Sequence, residues 1–287
     1  MRTKSCCLLL LLVALSTAAS AQIKLTLDTL QCPIVGFRVG TLFPSSSLSM
    51  ATAPDGSHPD NANLYDLYSS PWLSFGVDGY YKLQTNWLFS LEGELIIGNY
   101  NLRQSAARLG DLYTHDSTPI VIGSNGTNAG LASYNRALAL KLGVGKIFTL
   151  TPRNPNSGPF VKLNAGWMQN QTIFTNELVH APQIEGDYAL LYDHQRRGFT
   201  LSENIGFWYM RPGANLVNFY IAFEVTQCWS RSTRDYVIDN LMGLHGKDNN
   251  RYFDLLYSIK ICWMFPLSGK KSYDYYFSTP SPKQTTA

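Results

Sequence analysis

Residues 251–265, RYFDLLYSIKICWMF, alternate between two kinds of side chain. One set is wholly aromatic or aliphatic and comprises Phe253, Leu255, Tyr257, Ile259, Ile261, Trp263 and Phe265. The other set is mixed and includes Asp254, Ser258 and Lys260. Because successive side chains of a strand point to opposite faces, this stretch predicts a strand with one wholly apolar face.

Similar alternation recurs along the chain in long segments. The eight predicted strands are residues 34–43, 72–83, 87–100, 133–148, 159–173, 198–211, 216–230 and 251–265. Strands of soluble domains usually have about 5–6 residues, whereas a tilted membrane-spanning strand needs about 9–11. The lengths therefore favour strands that cross a membrane.

The connections between these strands alternate between short and long. The short ones are residues 84–86, 149–158 and 212–215, and the long ones are residues 44–71, 101–132, 174–197 and 231–250. Outer-membrane barrels combine short periplasmic turns with long outer loops. The sequence thus predicts an all-β fold, an eight-stranded antiparallel up-and-down transmembrane β-barrel with both termini in the periplasm.

A soluble β-sandwich or lipocalin-like barrel is the alternative, with its apolar face turned inward. The interior of eight strands is too narrow for so many large aromatic side chains. Trp87, Trp167, Trp229 and Trp263 also share the apolar face, mostly near strand ends, where aromatic girdles form. Glu203 is an exception on that face. A carboxyl group that faces lipid must be displaced by a bulge, protonated or covered by a partner.

The N-terminal segment predicts export. Arg2 and Lys4 precede an apolar run over residues 6–15, and Ala19-Ser20-Ala21 resembles a cleavage site. We expect a signal peptide at 1–21, Sec-type export, a periplasmic segment at 22–33 and the barrel at 34–267. The tail 268–287 is rich in Ser, Thr, Lys and Pro and predicts a disordered periplasmic segment.

The end of the last strand resembles the C-terminal signal that the barrel-assembly machinery reads. Its alternate residues are Tyr257, Ile259, Ile261, Trp263 and Phe265. The predicted partners during insertion are therefore that machinery and outer-membrane lipid.

Three cysteines follow the predicted signal peptide, namely Cys32, Cys228 and Cys262. So sparse and odd a set excludes a disulfide framework. We expect Cys228 and Cys262 to lie too far apart to bond, and Cys32 with Cys262 to be the only plausible pair.

Five cations and five carboxylates occupy the strand positions that alternate with the apolar face. We call this alternation strand parity, and it predicts that their side chains point into the lumen. They are Arg38, Lys82, Lys141, Lys162, Lys260, Asp78, Glu92, Glu94, Glu224 and Asp254. An unpaired buried charge costs several kcal/mol, so these groups predict a plug of ion pairs. An ion-selective pathway is the alternative. The net charge of +3 is too weak to indicate a nucleic-acid partner.

The histidines are His58, His115, His180, His194 and His245, all in predicted outer loops. They show no metal-ligand spacing, so we predict neither a metal site nor a cofactor. An outer-leaflet lipid-modifying enzyme is the third functional hypothesis, behind recognition and a narrow channel.

The third long loop contains aromatic and arginine side chains that are common anchors of interfaces. We identify Tyr188, Tyr192, Arg196 and Arg197 as candidate binding residues. Alternatively, this loop folds onto the barrel mouth and plugs it.

Several motifs in the second half resemble a largely uncharacterised family of outer-membrane β-barrel proteins from Bacteroidetes. They are SGPFVK at 157–162, GW at 166–167, APQIEGDY at 181–188, NFY at 218–220, RDY at 234–236, RYFDLL at 251–256 and WMFPL at 263–267. The resemblance covers residues 157–267 and implies no catalytic residue. It implies accessory membership of a secretion or envelope complex.

The leading hypothesis is therefore a non-enzymatic outer-membrane barrel that acts as a recognition or scaffold component. Loops 174–197 and 231–250 would present the recognition surface, and the partner would be an envelope or secretion-complex protein.

Overall fold

The computed structural model describes residues 29–45, 50–53, 55–57, 71–99, 108–115, 118–151, 154–210 and 218–267. The predicted signal peptide, the predicted tail and residues 22–28 lie outside this described part.

Eight long strands form one sheet that closes on itself. They are β1 (Cys32–Pro44), β2 (Trp72–Lys82), β3 (Trp87–Asn99), β4 (Leu131–Ile147), β5 (Gly158–Asn176), β6 (Arg196–Met210), β7 (Asn218–Ser232) and β8 (Arg251–Pro266). Each strand pairs antiparallel with its sequence neighbour, and β1 also pairs with β8. The chain is therefore an eight-stranded antiparallel up-and-down β-barrel, which confirms the predicted fold class.

The long connections carry the smaller elements. These are the short strands Met50–Thr52, Val237–Asp239 and Leu244–Gly246, the 3-10 helices Gly110–Leu112, Pro182–Ile184 and Asn240–Met242, and the α-helix α1 (Ala189–Tyr192). Met50–Thr52 extends the wall beyond β1 by pairing with the start of β8. Leu255, which the alternation places outside, is buried where this extension joins the wall. No helix within the described ranges is long and apolar enough to cross a membrane.

The two faces of the wall differ sharply in chemistry. In β8, Ile259, Ile261 and Trp263 are 51–57% exposed, whereas the intervening Lys260 and Cys262 are buried inside. Most outward residues of the other strands, from Phe37 on β1 onward, are likewise apolar and exposed. The barrel therefore has an apolar exterior and a polar interior, the reverse of a soluble barrel.

Glu203 lies on the apolar exterior in an unbroken ladder. It is directly opposite Leu163 of β5 and Val225 of β7. The continuous register excludes a bulge as the means of displacing this carboxyl.

The strand ends that the short connections join lie at the same end of the barrel as both described chain ends. The turn between β2 and β3 has Asn86 at φ 62°, a left-handed conformation that asparagine tolerates. The N–H of Leu267 donates to the carbonyl of Pro33 over 2.8 Å, which ties the two ends together. We call this the short-turn end and the opposite one the long-loop end.

The three described cysteines are free and buried. Cys262 lies opposite Arg38, so Cys32 is six residues, or about 20 Å, further along β1. The predicted Cys32–Cys262 pair is therefore wrong, because the register of β1 against β8 offsets the two thiols. Cys228 lies opposite Asp254, eight residues along β8 from Cys262, and the predicted separation of that pair is confirmed.

The seam between β1 and β8 generates a prediction. The ring of Phe265 stacks on Trp263 at 6.3 Å and meets Phe37 edge-on at 6.1 Å across the seam. Replacing Trp263 and Phe265 together with Ala removes these contacts, so we expect a several-fold lower yield of folded barrel. Heat-modifiable gel migration measures this yield. Leu267→Ala is the control, since Leu267 is as exposed as Trp263 but lies just beyond β8. A wild-type yield of folded barrel from the double variant would contradict the prediction.

Candidate functional site

Eight ionisable side chains form one connected network in the middle of the barrel. They are Arg38, Lys141, Lys162, Lys260, Asp78, Glu92, Glu94 and Glu224, and each is at most 2% exposed. Their four positive and four negative charges come from seven of the eight strands. The network therefore balances its own charge and links almost the whole circumference of the wall.

Half of this network is a ring of alternating charges. Lys141 lies 2.8 Å from Glu224 and 3.0 Å from Glu94. Lys260 contacts the same two carboxylates at 2.7 and 2.6 Å. Each lysine thus meets two carboxylates and each carboxylate meets two lysines, which offsets the repulsion between like charges.

The other half centres on Arg38. Its guanidinium lies 2.7 Å from Glu92, 3.1 Å from Asp78 and 3.7 Å from Glu94. Lys162 forms an ion pair with Glu92 as well. Glu94 belongs to both halves, so the interior is occupied by one continuous set of ion pairs.

An aromatic layer fills the barrel between this network and the short-turn end. It consists of Tyr80, Phe160, Trp208 and Tyr220, whose ring centroids are 5.3–6.2 Å apart. All four are buried. The hydroxyls of Tyr80 and Tyr220 lie 3.0 and 3.2 Å from Asp78, which joins the layer to the charges. Sequence reasoning missed this layer, although the inward parity of its members could have indicated it.

Two residues predicted for the network lie outside it. Lys82 donates to the carbonyl of Leu30 and to Asn156 over 3.0 and 2.9 Å at the short-turn end. Asp254 lies near the long-loop end and pairs with Arg196 at 3.5 Å. Parity correctly places both inside, but position along a strand separates them from the central charges. Four residues of strand, from Asp78 to Lys82, span about 13 Å.

Three long connections fold together at the long-loop end into a structure that we call the cap, residues 108–115, 118–130, 177–195 and 233–250. Buried Arg108 and Asp239 form an ion pair at 2.5 Å that joins the first segment to the third. Gln183 donates to the carbonyl of Ile122 over 2.6 Å, and Asp193 pairs with Arg234. The cap also has an apolar core of Val121, Ala129, Ala181 and Ile184.

The cap closes the long-loop end of the barrel. Leu109 of the cap belongs to a buried apolar cluster with Trp72, Met168 and Leu256 of the wall. Tyr192 packs against the same cluster. The described interior is therefore filled in three layers: aromatic, charged and apolar.

The candidate binding residues of the third loop lie in four different environments. Tyr188 is 63% exposed on the cap, while Tyr192 is half-buried beneath it. Arg197 is exposed on the outer wall. Arg196, predicted as a surface residue, is instead buried over the ring of Tyr252 at 4.5 Å. The reason is that β6 begins at Arg196, so consecutive arginines point to opposite faces of the wall.

An exposed apolar patch forms on the cap around Tyr188. Helix α1, which contains Leu190, packs beside the strand Val237–Asp239 and brings Tyr236 to the same region. Tyr188, Leu190 and Tyr236 are all more than 40% exposed. We call these three residues the cap patch, and exposed apolar clusters of this kind are typical of interaction surfaces.

His194 is the buried histidine of the cap, with its Nε2 atom 3.5 Å from Asp239. Burial lowers its pKa to about 4, opposed by Asp239 and supported by Arg108. Within the described residues, no three His, Cys, Asp or Glu side chains are grouped so as to hold a metal ion. His58 lies outside the described residues.

No family model matches this chain. No curated protein matches it either. Solved structures similar to it include Ail, the attachment invasion locus protein of Yersinia pestis, at 8% identity and a TM-score of 0.37 over 82% of this chain and 100% of that one. OprG from Pseudomonas aeruginosa has 14% identity and a TM-score of 0.36 over 83% and 97%. Neisserial surface protein A has 11% identity and a TM-score of 0.32 over 80% and 96%.

At these identities and TM-scores, the function of the chain has to be inferred from its own residues.

The charge network predicts that Glu224→Gln destabilises the barrel by about 3–5 kcal/mol, because Lys141 and Lys260 each lose a buried partner. Glu203→Gln is the matched control. It makes the same chemical change on the outer face, next to Glu224 in the ladder, and should alter stability by about 0.5 kcal/mol or less. Reversible urea unfolding in lipid vesicles gives both free energies. Equal effects from the two substitutions would contradict the prediction.

The cap predicts a pH dependence. The unfolded chain protonates His194 below about pH 6.5, whereas the folded cap resists protonation down to about pH 4. The unfolded state therefore binds more protons in this window, and cap stability falls as the pH falls from 6.5 to 4. The hydrogen-exchange protection factors of residues 187–195, which are corrected for the intrinsic slowing of exchange at lower pH, should fall accordingly in the native chain.

His194→Gln should flatten this pH dependence, while His245→Gln, which changes an exposed cap histidine, should retain it. The same pH slope in His194→Gln and in the native chain would rule out His194 as its source.

Proposed function

We propose that this chain is an outer-membrane β-barrel that works as a non-enzymatic recognition or scaffold component. The observation that carries the proposal is a barrel filled along its axis, with a folded cap that presents an apolar patch. Such a molecule offers a surface for binding in place of a path for transport.

The exterior supports the membrane location. Leu91, Leu142 and Ile205 are 59–66% exposed, and they belong to a band of exposed apolar side chains around the wall. In water such a band would drive aggregation, whereas lipid solvates it. The predicted signal peptide and the C-terminal assembly signal support export and insertion, with the short-turn end in the periplasm.

The filled interior favours recognition over the alternative of a narrow channel. An ion on the barrel axis would have to pass the rings of Phe160 and Trp208 and then separate the ion pairs around Glu94 and Glu224. Eight strands leave space that side chains alone can fill. The charge-paired interior instead makes a rigid support for the cap.

The cap patch supports a protein partner. Tyr188 and Tyr236 are large amphipathic side chains of the kind that anchor interfaces, and Leu190 adds apolar area. We propose an envelope or secretion-complex protein as the partner. The resemblance of residues 157–267 to outer-membrane barrels of Bacteroidetes favours this class.

Replacing Tyr188, Leu190 and Tyr236 together with Ser should remove a protein that co-purifies with the native barrel from native membranes. Thermal unfolding should stay unchanged, because all three side chains are exposed. Leu178→Ser with Ile122→Ser is the matched control, since these exposed apolar residues lie elsewhere on the cap. A destabilised barrel with unchanged partners would show that the patch serves the cap instead.

Planar bilayers separate the recognition and channel functions. The native barrel should show no steady ion conductance, and reproducible currents would overturn the proposal in favour of the channel.

A further inference from the structure

Three arginines lie side by side on the outer wall near the long-loop end. Arg197 of β6 is directly opposite Arg231 of β7, and Arg231 is directly opposite Arg251 of β8. All three have outward parity and are exposed. We call this set the arginine row.

A row of aromatic residues lies immediately next to it, on the side of the apolar band. Phe199, Trp229 and Phe253 occupy the next outward position of the same three strands. The ring of Trp229 stacks on Phe199 at 6.1 Å and lies 5.5 Å from Phe253. Aromatic rows of this kind mark the membrane interface, so the arginine row lies at headgroup depth.

The arginine row is electrostatically unfavourable by itself. Like charges directly opposite each other in a sheet destabilise the pairing. None of these three arginines forms an ion pair with another described residue. The interior of the same barrel, by contrast, surrounds Arg38 with three carboxylates. An external anion would remove the repulsion in the row.

Phosphate suits this geometry. A guanidinium group offers a planar fork of N–H donors that matches phosphate oxygens, and it stays charged at any physiological pH. Three forks on neighbouring strands, about 5 Å apart from one strand to the next, can contact one phosphorylated headgroup together.

We infer that Arg197, Arg231 and Arg251 form a binding site for the phosphate groups of lipid headgroups in the outer leaflet. This inference rests on the proposed outer-membrane location. Arg197, predicted from sequence as a protein-binding residue, is thereby assigned to lipid. The site would fix the height and rotation of the barrel beneath the cap patch.

The test uses the full barrel in nanodiscs of digalactosyldiacylglycerol, a lipid without phosphate, that contain either phosphorylated lipid A or the same lipid A stripped of its phosphates. Native protein should have a higher melting temperature with phosphorylated lipid A. The triple variant Arg197→Gln, Arg231→Gln, Arg251→Gln should lose this difference. In stripped discs it should be at least as stable as the native barrel, because the repulsion has been removed.

Native mass spectrometry gives the affinity for phosphorylated lipid A, which should fall roughly tenfold in the triple variant. The difference should shrink at high salt, as expected for exposed charges. Lys247→Gln is the control, since Lys247 is an exposed cation of the cap outside the row. It should retain the native dependence on phosphate.

A triple variant with native dependence on phosphorylated lipid A would overturn the inference, and so would a Lys247→Gln variant that loses it. Inorganic phosphate that reproduces the whole stabilisation in stripped discs would also overturn it, in favour of a free-phosphate site. Failure of the native barrel to insert into either disc would contradict the proposed function itself, whereas insertion without phosphate dependence contradicts this site alone.

Discussion

Closure of eight strands into a narrow barrel is the constraint on which the rest of this structure depends. Pairing of β1 with β8 removes the sheet edges and leaves an interior that side chains must fill. Any charge that parity sends inward must therefore find its partner across the lumen. Arg38 and Glu92 meet in this way from two strands that do not pair with each other.

The ion pairs fill the lumen and also help to select one strand register over others. Removing one partner of a buried ion pair is costly. A slipped strand register that separated Glu224 from Lys141 and Lys260 would leave unpaired charges buried in the lumen. Parity and charge pairing thus act together on each strand. One sorts residues between faces, and the other selects the alignment along the strand.

Within the described residues, two surfaces carry the binding functions that we propose. The cap presents Tyr188 and its neighbours, and it is held by buried contacts such as Arg108 with Asp239. The wall just beneath presents Arg197 beside aromatic side chains. Binding energy at either surface would act on a rigid support, because the filled lumen opposes deformation of the wall.

Local alternation determined the strands, their faces and the inward position of every predicted lumen charge, because parity is a property of neighbours along one strand. It also determined that Glu203 would face outward. The tertiary structure decided two things that the alternation of side chains does not determine. These are the position of each residue along the barrel axis and its partners across the lumen. Lys82 and Asp254 therefore lie away from the central charges, Cys32 lies far from Cys262, and three distant loops meet in the cap. These arrangements depend on register and loop packing, which join residues far apart in sequence.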